Sequence, residues 1–274
     1  MTLRSLDRYV RKLRDEVAAL DVPTGTAIQT PPMDPIAFAR QAGLEPDGWQ
    51  EELLTGEHRQ IILLCARQTG KSSISALLAL QEALFQAPSL VLVLSPSLRQ
   101  SQELFRKVKD AYAAVGPECP VTVESALRLE LVNGSRIISL PGKESTIRGY
   151  SGVALLVVDE AARVPDDLYQ AVRPMLAVSG GRLVLLSTPF GKRGFFHHEW
   201  TEGGPDWHRV RVTANECPRM SKDWLDRERA AIGEWWFQQE YLCEFVEAED
   251  QVFRYDDIAQ AFDADLTPLF GNAA

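Results

Sequence analysis

No run in the 274-residue chain approaches the roughly 20 consecutive apolar positions needed to cross a bilayer. The opening segment MTLRSLDRYVRKLRDE carries charge throughout and lacks the apolar centre of a secretion signal, so the chain is expected to stay in the compartment where it is made. Cysteine is sparse: Cys65, Cys119, Cys217 and Cys243 contain no CxxC pair, which argues against a zinc site or a disulfide framework and for buried free thiols. Internal repeats and low-complexity stretches are also missing. With 45% hydrophobic and 24% charged residues, the composition excludes a disordered, collagen-like or coiled-coil chain for most of the length.

The net charge of −9 is uneven. From Glu247 onward seven acids face only Arg254, a balance of −6 that leaves −3 for residues 1–246. Any grip on a polyanion must therefore come from a local basic patch rather than from the field of the whole molecule. Residues 3–20 place Leu6, Val10, Leu13, Val17 and Leu20 at three- and four-residue steps, predicting an amphipathic helix with a basic polar face. It reads either as an arm packed on the body or as a contact for DNA or a partner. A Pro- and Thr-rich loop follows at 21–35.

From about residue 45, short apolar runs alternate with helical stretches. The runs at 61–65, 90–95, 136–140, 153–158 and 182–187 are nearly continuous in apolar character, as expected when helices cover both faces of a parallel sheet. Helices fit at 72–86, 98–115 and 165–178, so alternation alone predicts an α/β sandwich. Residues 123–140 alternate differently and contain Asn133-Gly134, a hairpin signal. After Pro189 the sheet pattern fades, leaving a strand at 208–213 and a helix from Ser221 to about Leu242.

Two of the apolar runs end in groups with chemistry. Ile61 to Ser72 reads as strand, tight loop and helix, closing on Gly70-Lys71-Ser72. Gly70 lets the backbone approach an anion, and the helix beginning near Lys71 aims free N–H groups at it. Lys71 would reach the β- and γ-phosphates of a nucleotide, with Ser72 as a magnesium ligand. The leading glycine usual in such a loop is absent; Cys65 stands there. Leu155 to Glu160 is an apolar strand ending in two acids, at the strand end where open α/β sheets bind ligands. Asp159 suits the magnesium, and Glu160 the orientation or deprotonation of an attacking water. Together the two strand-terminal motifs describe an ATPase site.

Here the chain resembles a family. Arg67-Gln68-Thr69-Gly70-Lys71-Ser72, with Arg-Gln and no leading glycine, is similar to the phosphate loop of the large terminase subunits of tailed bacteriophages. Trp49-Gln50 resembles the adenine-recognising segment of that family. Arg148-Gly149 precedes the acidic strand, Ser187-Thr188-Pro189 followed by Phe190 to Phe196 is similar to the coupling motif, and Cys217 to Ser221 and Gln239 to Phe245 also match. The resemblance spans roughly residues 45–253.

The resemblance implies an additional-strand P-loop NTPase sandwich of the RecA- and helicase-like type with a small lid subdomain. The expected layout is a helical arm and loop over 1–44, an ATPase core over 45–190, a lid over 191–247 and an acidic linker or tail over 248–274. The nucleotide set is Trp49, Gln50, Gln68, Thr69, Gly70, Lys71, Ser72, Ser187 and Thr188. Arg67 beside the γ-phosphate would neutralise charge built up in phosphoryl transfer, or it pairs with Glu160 or another acid. Arg148 is a candidate arginine finger acting on a neighbouring subunit, with a fixed intrachain pair as the alternative. Lys143, Lys192 and Arg193 are either contacts to DNA phosphates or solvated surface cations.

The function implied is ATP hydrolysis, with Mg2+, that drives viral double-stranded DNA into a procapsid. The implied partners are DNA, the small terminase subunit, the portal and further copies in a ring, in the bacterial cytoplasm and without a membrane. Large terminases carry a nuclease domain after the ATPase; the stretch after Glu249 is too short for one, so DNA cleavage is not expected. The alternatives are a helicase-like DNA-dependent ATPase and a non-catalytic nucleotide-binding prophage remnant.

Overall fold

Apolar runs that are buried on both faces have one stable solution, a sheet between two helical layers. The computed structural model describes residues 33–115, 119–142 and 149–247. The expected arm helix over 3–20 and the acidic tail from 248 lie outside these residues. Strands β1 (Gln60–Cys65), β2 (Leu90–Ser95), β3 (Val121–Glu124), β4 (Arg128–Leu131), β5 (Arg136–Pro141), β6 (Leu155–Asp159), β7 (Arg182–Ser187) and β8 (Trp207–Val212) form one sheet in the order β3-β4-β5-β2-β6-β7-β1-β8. From β5 to β8 every pairing is parallel. β3, β4 and β5 make an antiparallel meander at one end, with Asn133-Gly134 between β4 and β5. Gly134 has φ +84°, the left-handed value that such a turn asks of glycine. β7 lies between β1 and β6, the additional strand of this class of P-loop fold.

Alternate strand residues serve the two layers. Ile61, Leu63, Val91, Val93, Leu155, Val157, Val184 and Leu186 pack against α1 (Pro35–Gln41), α2 (Gly48–Thr55), α3 (Lys71–Phe85) and α4 (Leu98–Val115). Ile62, Leu64, Leu92, Leu94, Leu156, Val158, Leu183 and Leu185 meet the side chains of α5 (Asp166–Val172) and α6 (Gly194–Thr201), joined by Leu225 of α7 (Lys222–Ile232) and Phe237 of α8 (Glu234–Glu240). All four cysteines are buried free thiols.

The structure departs from the sequence expectations in two places. The helix expected over 165–178 stops at Val172 and continues as a 3-10 turn, Arg173–Leu176, because Pro174 offers no N–H to an α-helical ladder. The helix expected from Ser221 to Leu242 is two helices, broken at Gly233, whose φ is +83°. The break turns the aromatic run so that Phe237 is buried while Trp236 stays exposed. The segment over 191–247 contributes a strand to the sheet. β8 pairs along its whole length with β1, from Gln60↔Trp207 to Cys65↔Val212.

A polar hub ties that segment in. The Glu199 carboxylate on α6 accepts from Tyr169 Oη at 3.0 Å, Arg173 Nη1 at 3.1 Å and Trp207 Nε1 at 2.9 Å, joining α6 to α5, the 3-10 turn and β8. Truncating it strands three donors, two of them buried. Glu199→Ala should destabilise the fold by about 3 kcal/mol in urea unfolding at unchanged m-value; a change below about 0.5 kcal/mol would remove the hub from the account.

Candidate functional site

The carboxyl ends of β1, β7 and β6 lie side by side, and the chain's chemistry collects there. After Cys65 the loop 66–70 reverses through Gln68 at φ +61° and Gly70 at φ +94°, so that α3 begins at Lys71. A Cβ at Gly70 would sit 2.8 Å from Gln50 Nε2, so the loop rests against that side chain, and the φ of +94° is one that favours glycine. Thr69 Oγ1 donates to the Ala66 carbonyl at 2.9 Å. Lys71 Nζ folds back into the loop, donating to the carbonyls of Cys65 at 3.2 Å and Ala66 at 2.9 Å. Gln68 stands exposed at the loop's crest.

Across β7, Asp159 ends β6. Ser72 Oγ donates to Asp159 Oδ2 at 3.4 Å, joining the two motifs read separately in the sequence. Asp159 is 4% exposed, and its Oδ1 is buried with no hydrogen-bond partner among the described residues. Burial, and secondarily the neighbouring Glu160 charge, push its carboxyl up to about 6, against the opposing pull of Lys71, the Glu160 N–H and Ser72. A buried carboxylate oxygen without a partner, next to a serine hydroxyl, is a hard-oxygen donor set that fits a divalent cation.

Glu160 follows in the left-handed region, φ +51°. Its Oε2 accepts from Arg163 Nη1 at 3.1 Å, and the same nitrogen donates to Thr188 Oγ1 at 3.0 Å. Arg163 Nη2 reaches Glu240 Oε1 at 3.4 Å, while Arg67 Nε donates to Glu240 Oε2 at 2.6 Å. The Arg67 backbone N–H also donates to the Glu240 carbonyl at 2.9 Å. Of the two readings of Arg67, the structure thus shows the ion pair, and the acid is Glu240. Ser187 is fully buried at the end of β7, its Oγ without a partner among the described residues.

Gln50 is fully buried with its amide engaged at both ends. Oε1 accepts from the Asp47 N–H at 2.9 Å, capping α2, and Nε2 faces the Thr69 carbonyl at 3.5 Å. Each end keeps a second hydrogen-bonding position, so it is the burial of the side chain, not the two bonds, that a base edge would have to overcome. Trp49 is half-buried against the α1–α4 layer. Lys192 Nζ lies 3.5 Å from Glu247 Oε1, and the Arg193 guanidinium sits 4.6 Å from the centre of the Phe190 ring, which Arg163 also faces at 4.8 Å. Lys143 and Arg148 fall outside the described residues.

Several residues here escaped the sequence reading. Arg163 stands one turn after Glu160 and Glu240 lies within the Gln239–Phe245 stretch, so both were near recognised motifs. Arg219 likewise lies within the recognised Cys217–Ser221 stretch and Asp47 stands just before Trp49-Gln50, but nothing in either segment linked the two residues. They form a bidentate pair at 2.9 and 2.7 Å, and Arg219 Nη2 also donates to the Thr69 carbonyl at 3.2 Å, pinning the 217–221 segment to the phosphate loop. At the far edge of the sheet Glu52, His58 and His208 come together, but the two imidazoles stack face to face, 3.9 Å apart at 2°. Parallel offset ring planes cannot both contain one ion, so this is a stacked pair and not a formed metal centre.

A family profile described as "Terminase large subunit, T4likevirus-type, N-terminal" matches residues 62–260. The terminase large subunit of Thermus phage G20c is 24% identical over 251 residues, covering 79% of this chain and 52% of that protein. The chain thus spans about half the length of the curated relatives it matches. Among solved structures, the large terminase ATPase domain of Thermus phage P74-26 superposes with a TM-score of 0.69 at 22% identity, over 80% of this chain and all of that one. The large terminase of another thermophilic bacteriophage, in complex with ADP, gives a TM-score of 0.62 at 15% identity, over 73% of this chain and 54% of that one.

The Asp159 carboxyl makes a pH prediction. Its folded value of about 6 lies above the ordinary 3.8, so the folded chain holds this proton more tightly and the acid costs stability as pH rises from about 4 to 6. Asp159→Asn removes that cost. In metal- and nucleotide-free buffer, the variant's stability advantage should be small below pH 4 and reach a plateau of up to about 3 kcal/mol above pH 6. An advantage constant across that range would show that the carboxyl titrates normally.

Proposed function

The chain belongs to the terminase large-subunit family, and from that premise we propose that it is an ATP-hydrolysing motor unit that moves double-stranded viral DNA into a procapsid. One observation carries the reading: Ser72 of the phosphate loop and Asp159 of the acidic strand meet at 3.4 Å across the intervening β7, as a shared magnesium–nucleotide site requires. Solved large terminases of the same fold in complex with ADP and with ATP-gamma-S support a nucleotide as ligand. Matches to terminases disfavour the helicase-like alternative.

In this mechanism the N–H groups of 69–72, at the start of α3, cradle the phosphates. Lys71 exchanges the Cys65 and Ala66 carbonyls for phosphate oxygens. Ser72 and Asp159 would hold magnesium, which when bound offsets charge on the phosphates. Glu160 accepts a proton from the attacking water through Oε1, since Oε2 is occupied by Arg163. Arg67 leaves Glu240 for the γ-phosphate as negative charge accumulates there. Ser187 and Thr188 sense the phosphate from the neighbouring strand end and pass the change to the segment after Pro189. Trp49 and Gln50 meet the adenine, and Gln68 stays near the phosphates.

Between subunits of a ring, Arg148 would complete a neighbour's site. Lys143, Lys192 and Arg193 would touch DNA phosphates without reading sequence. The portal and the small subunit are the remaining partners, and no nuclease role is assigned to this chain.

Steady-state hydrolysis against protein concentration tests the reading. Glu160→Gln should lower kcat by about 10²–10⁴-fold while magnesium–ATP binding changes by less than about threefold. Specific activity should climb with concentration, and Arg148→Ala should abolish the climb. A flat specific activity would instead mark a self-contained site with Arg67 as its arginine. No turnover at any concentration, despite nucleotide binding, would remove the motor role from this chain by itself.

A further inference from the structure

Glu160 can act as a base only if its carboxylate is aimed, and neither its backbone nor its packing aims it. The residue leaves β6 at φ +51°, and its side chain is 26% exposed. Such a side chain keeps several rotamers unless something holds it. Among the described residues, the side chain that holds it is Arg163. We propose that Arg163 is the positioning residue of the hydrolytic site: it fixes the Glu160 carboxylate through Oε2, presents Oε1 to water, and ties that placement to the Thr188 strand end and to Glu240. This rests on the ATPase reading above and specifies how its base is controlled.

Three features separate this role from an ordinary ion pair. The nitrogen that holds Glu160 is the same one that bonds Thr188 Oγ1, so the base and the strand end cannot move independently while both bonds last. The other terminal nitrogen reaches Glu240, whose second oxygen holds Arg67 of the phosphate loop. Glu240 is nearly buried, at 6% side-chain exposure, and so anchors two more exposed guanidinium groups. Two arginines and two glutamates balance in charge. A γ-phosphate that draws Arg67 away leaves Glu240 to Arg163 alone, which shifts the guanidinium holding the base. Stacking of Arg163 over Phe190, 4.8 Å from the ring centre, keeps its plane in register with the chain just beyond Pro189.

The pair itself supplies little stability, since both its members are a quarter exposed and screened by water. Glu240, though nearly buried, keeps its closer partner Arg67 at 2.6 Å, so loss of Arg163 should appear in chemistry rather than in folding. With Arg163→Gln, kcat should fall by about 10–100-fold while KM, the Kd for magnesium–ATP and Tm hold, the Kd within about twofold. Arg163→Lys should recover only part of the rate, because an ammonium can meet Glu160 but cannot span Thr188 and Glu240 as a planar fork does. Placed on Glu160→Gln, Arg163→Gln should cost nothing further, since its effect is exercised through that carboxylate. Thr188→Val, which removes the second bond of the shared nitrogen, should lose about 3–10-fold in kcat and serves as the independent variant if Arg163→Gln folds poorly.

Single-turnover hydrolysis beside equilibrium nucleotide binding decides the matter. A full rate for Arg163→Gln or Thr188→Val in a protein that Glu160→Gln inactivates would overturn the positioning role and leave the ATPase standing. A drop in affinity as large as the drop in rate would make Arg163 a binding residue, and additivity with Glu160→Gln would give it a separate task; either result overturns the proposal. A wild-type chain that turns over under no condition would take the ATPase reading down, and this proposal with it.

Discussion

Parallel pairing of β1, β7 and β6 is the constraint on which the rest depends. In a sheet buried on both faces, polar chemistry has nowhere to go but the strand ends. The register Leu64↔Ser187 and Leu186↔Asp159 brings three of those ends level. The phosphate loop, the Ser187-Thr188 turn and the Asp159-Glu160 pair therefore share one edge although they are far apart in sequence. Helix α3 rises from that edge with its first residues beside the acids, and the layers behind are almost wholly apolar. A rigid apolar platform with all its polarity on one rim is what allows a carboxylate as buried as Asp159 to be kept at all.

Glu240 extends that rim to the segment beyond the sheet. Its side chain lies between Arg67 and Arg163, its carbonyl accepts from the Arg67 N–H, and its neighbour Tyr241 accepts through its carbonyl from the Ala214 N–H. On the opposite side, Arg219 clasps Asp47 and the Thr69 carbonyl. The phosphate loop is thus gripped from two directions by the same stretch of chain, and it cannot alter its shape without that stretch feeling it.

Much of this was legible from residue order alone. The strands β1, β2, β5, β6 and β7 announced themselves as apolar runs, and Lys71, Ser72, Asp159 and Glu160 as their polar terminations, because burial and strand ends leave local marks. The breaks at Pro174 and Gly233 were missed, because apolar periodicity runs through both positions and outweighed a single proline and a single glycine. Placement of β8 against β1 was not legible: Trp207–Val212 is an edge strand of mixed burial, and pairing partners are a property of the whole chain. The ion pairs Arg67–Glu240 and Asp47–Arg219 each span more than 170 positions, and nothing in the local pattern of a lone arginine names its acid.

Lys71 gives the site a further character. Its ammonium is satisfied by two backbone carbonyls of the loop it serves. The loop is therefore itself a competitor for that ammonium, with a fixed, intramolecular supply of acceptors. In the proposed function an incoming phosphate would have to displace them, and a departing one would be replaced at once. If the chain hydrolyses a nucleotide as proposed, affinity would be tempered at arrival and retention discouraged after hydrolysis, when fewer anionic oxygens remain to compete. Under the proposed motor function, a loop that closes on its own lysine would act as a reset spring, returning each turnover to the same starting state.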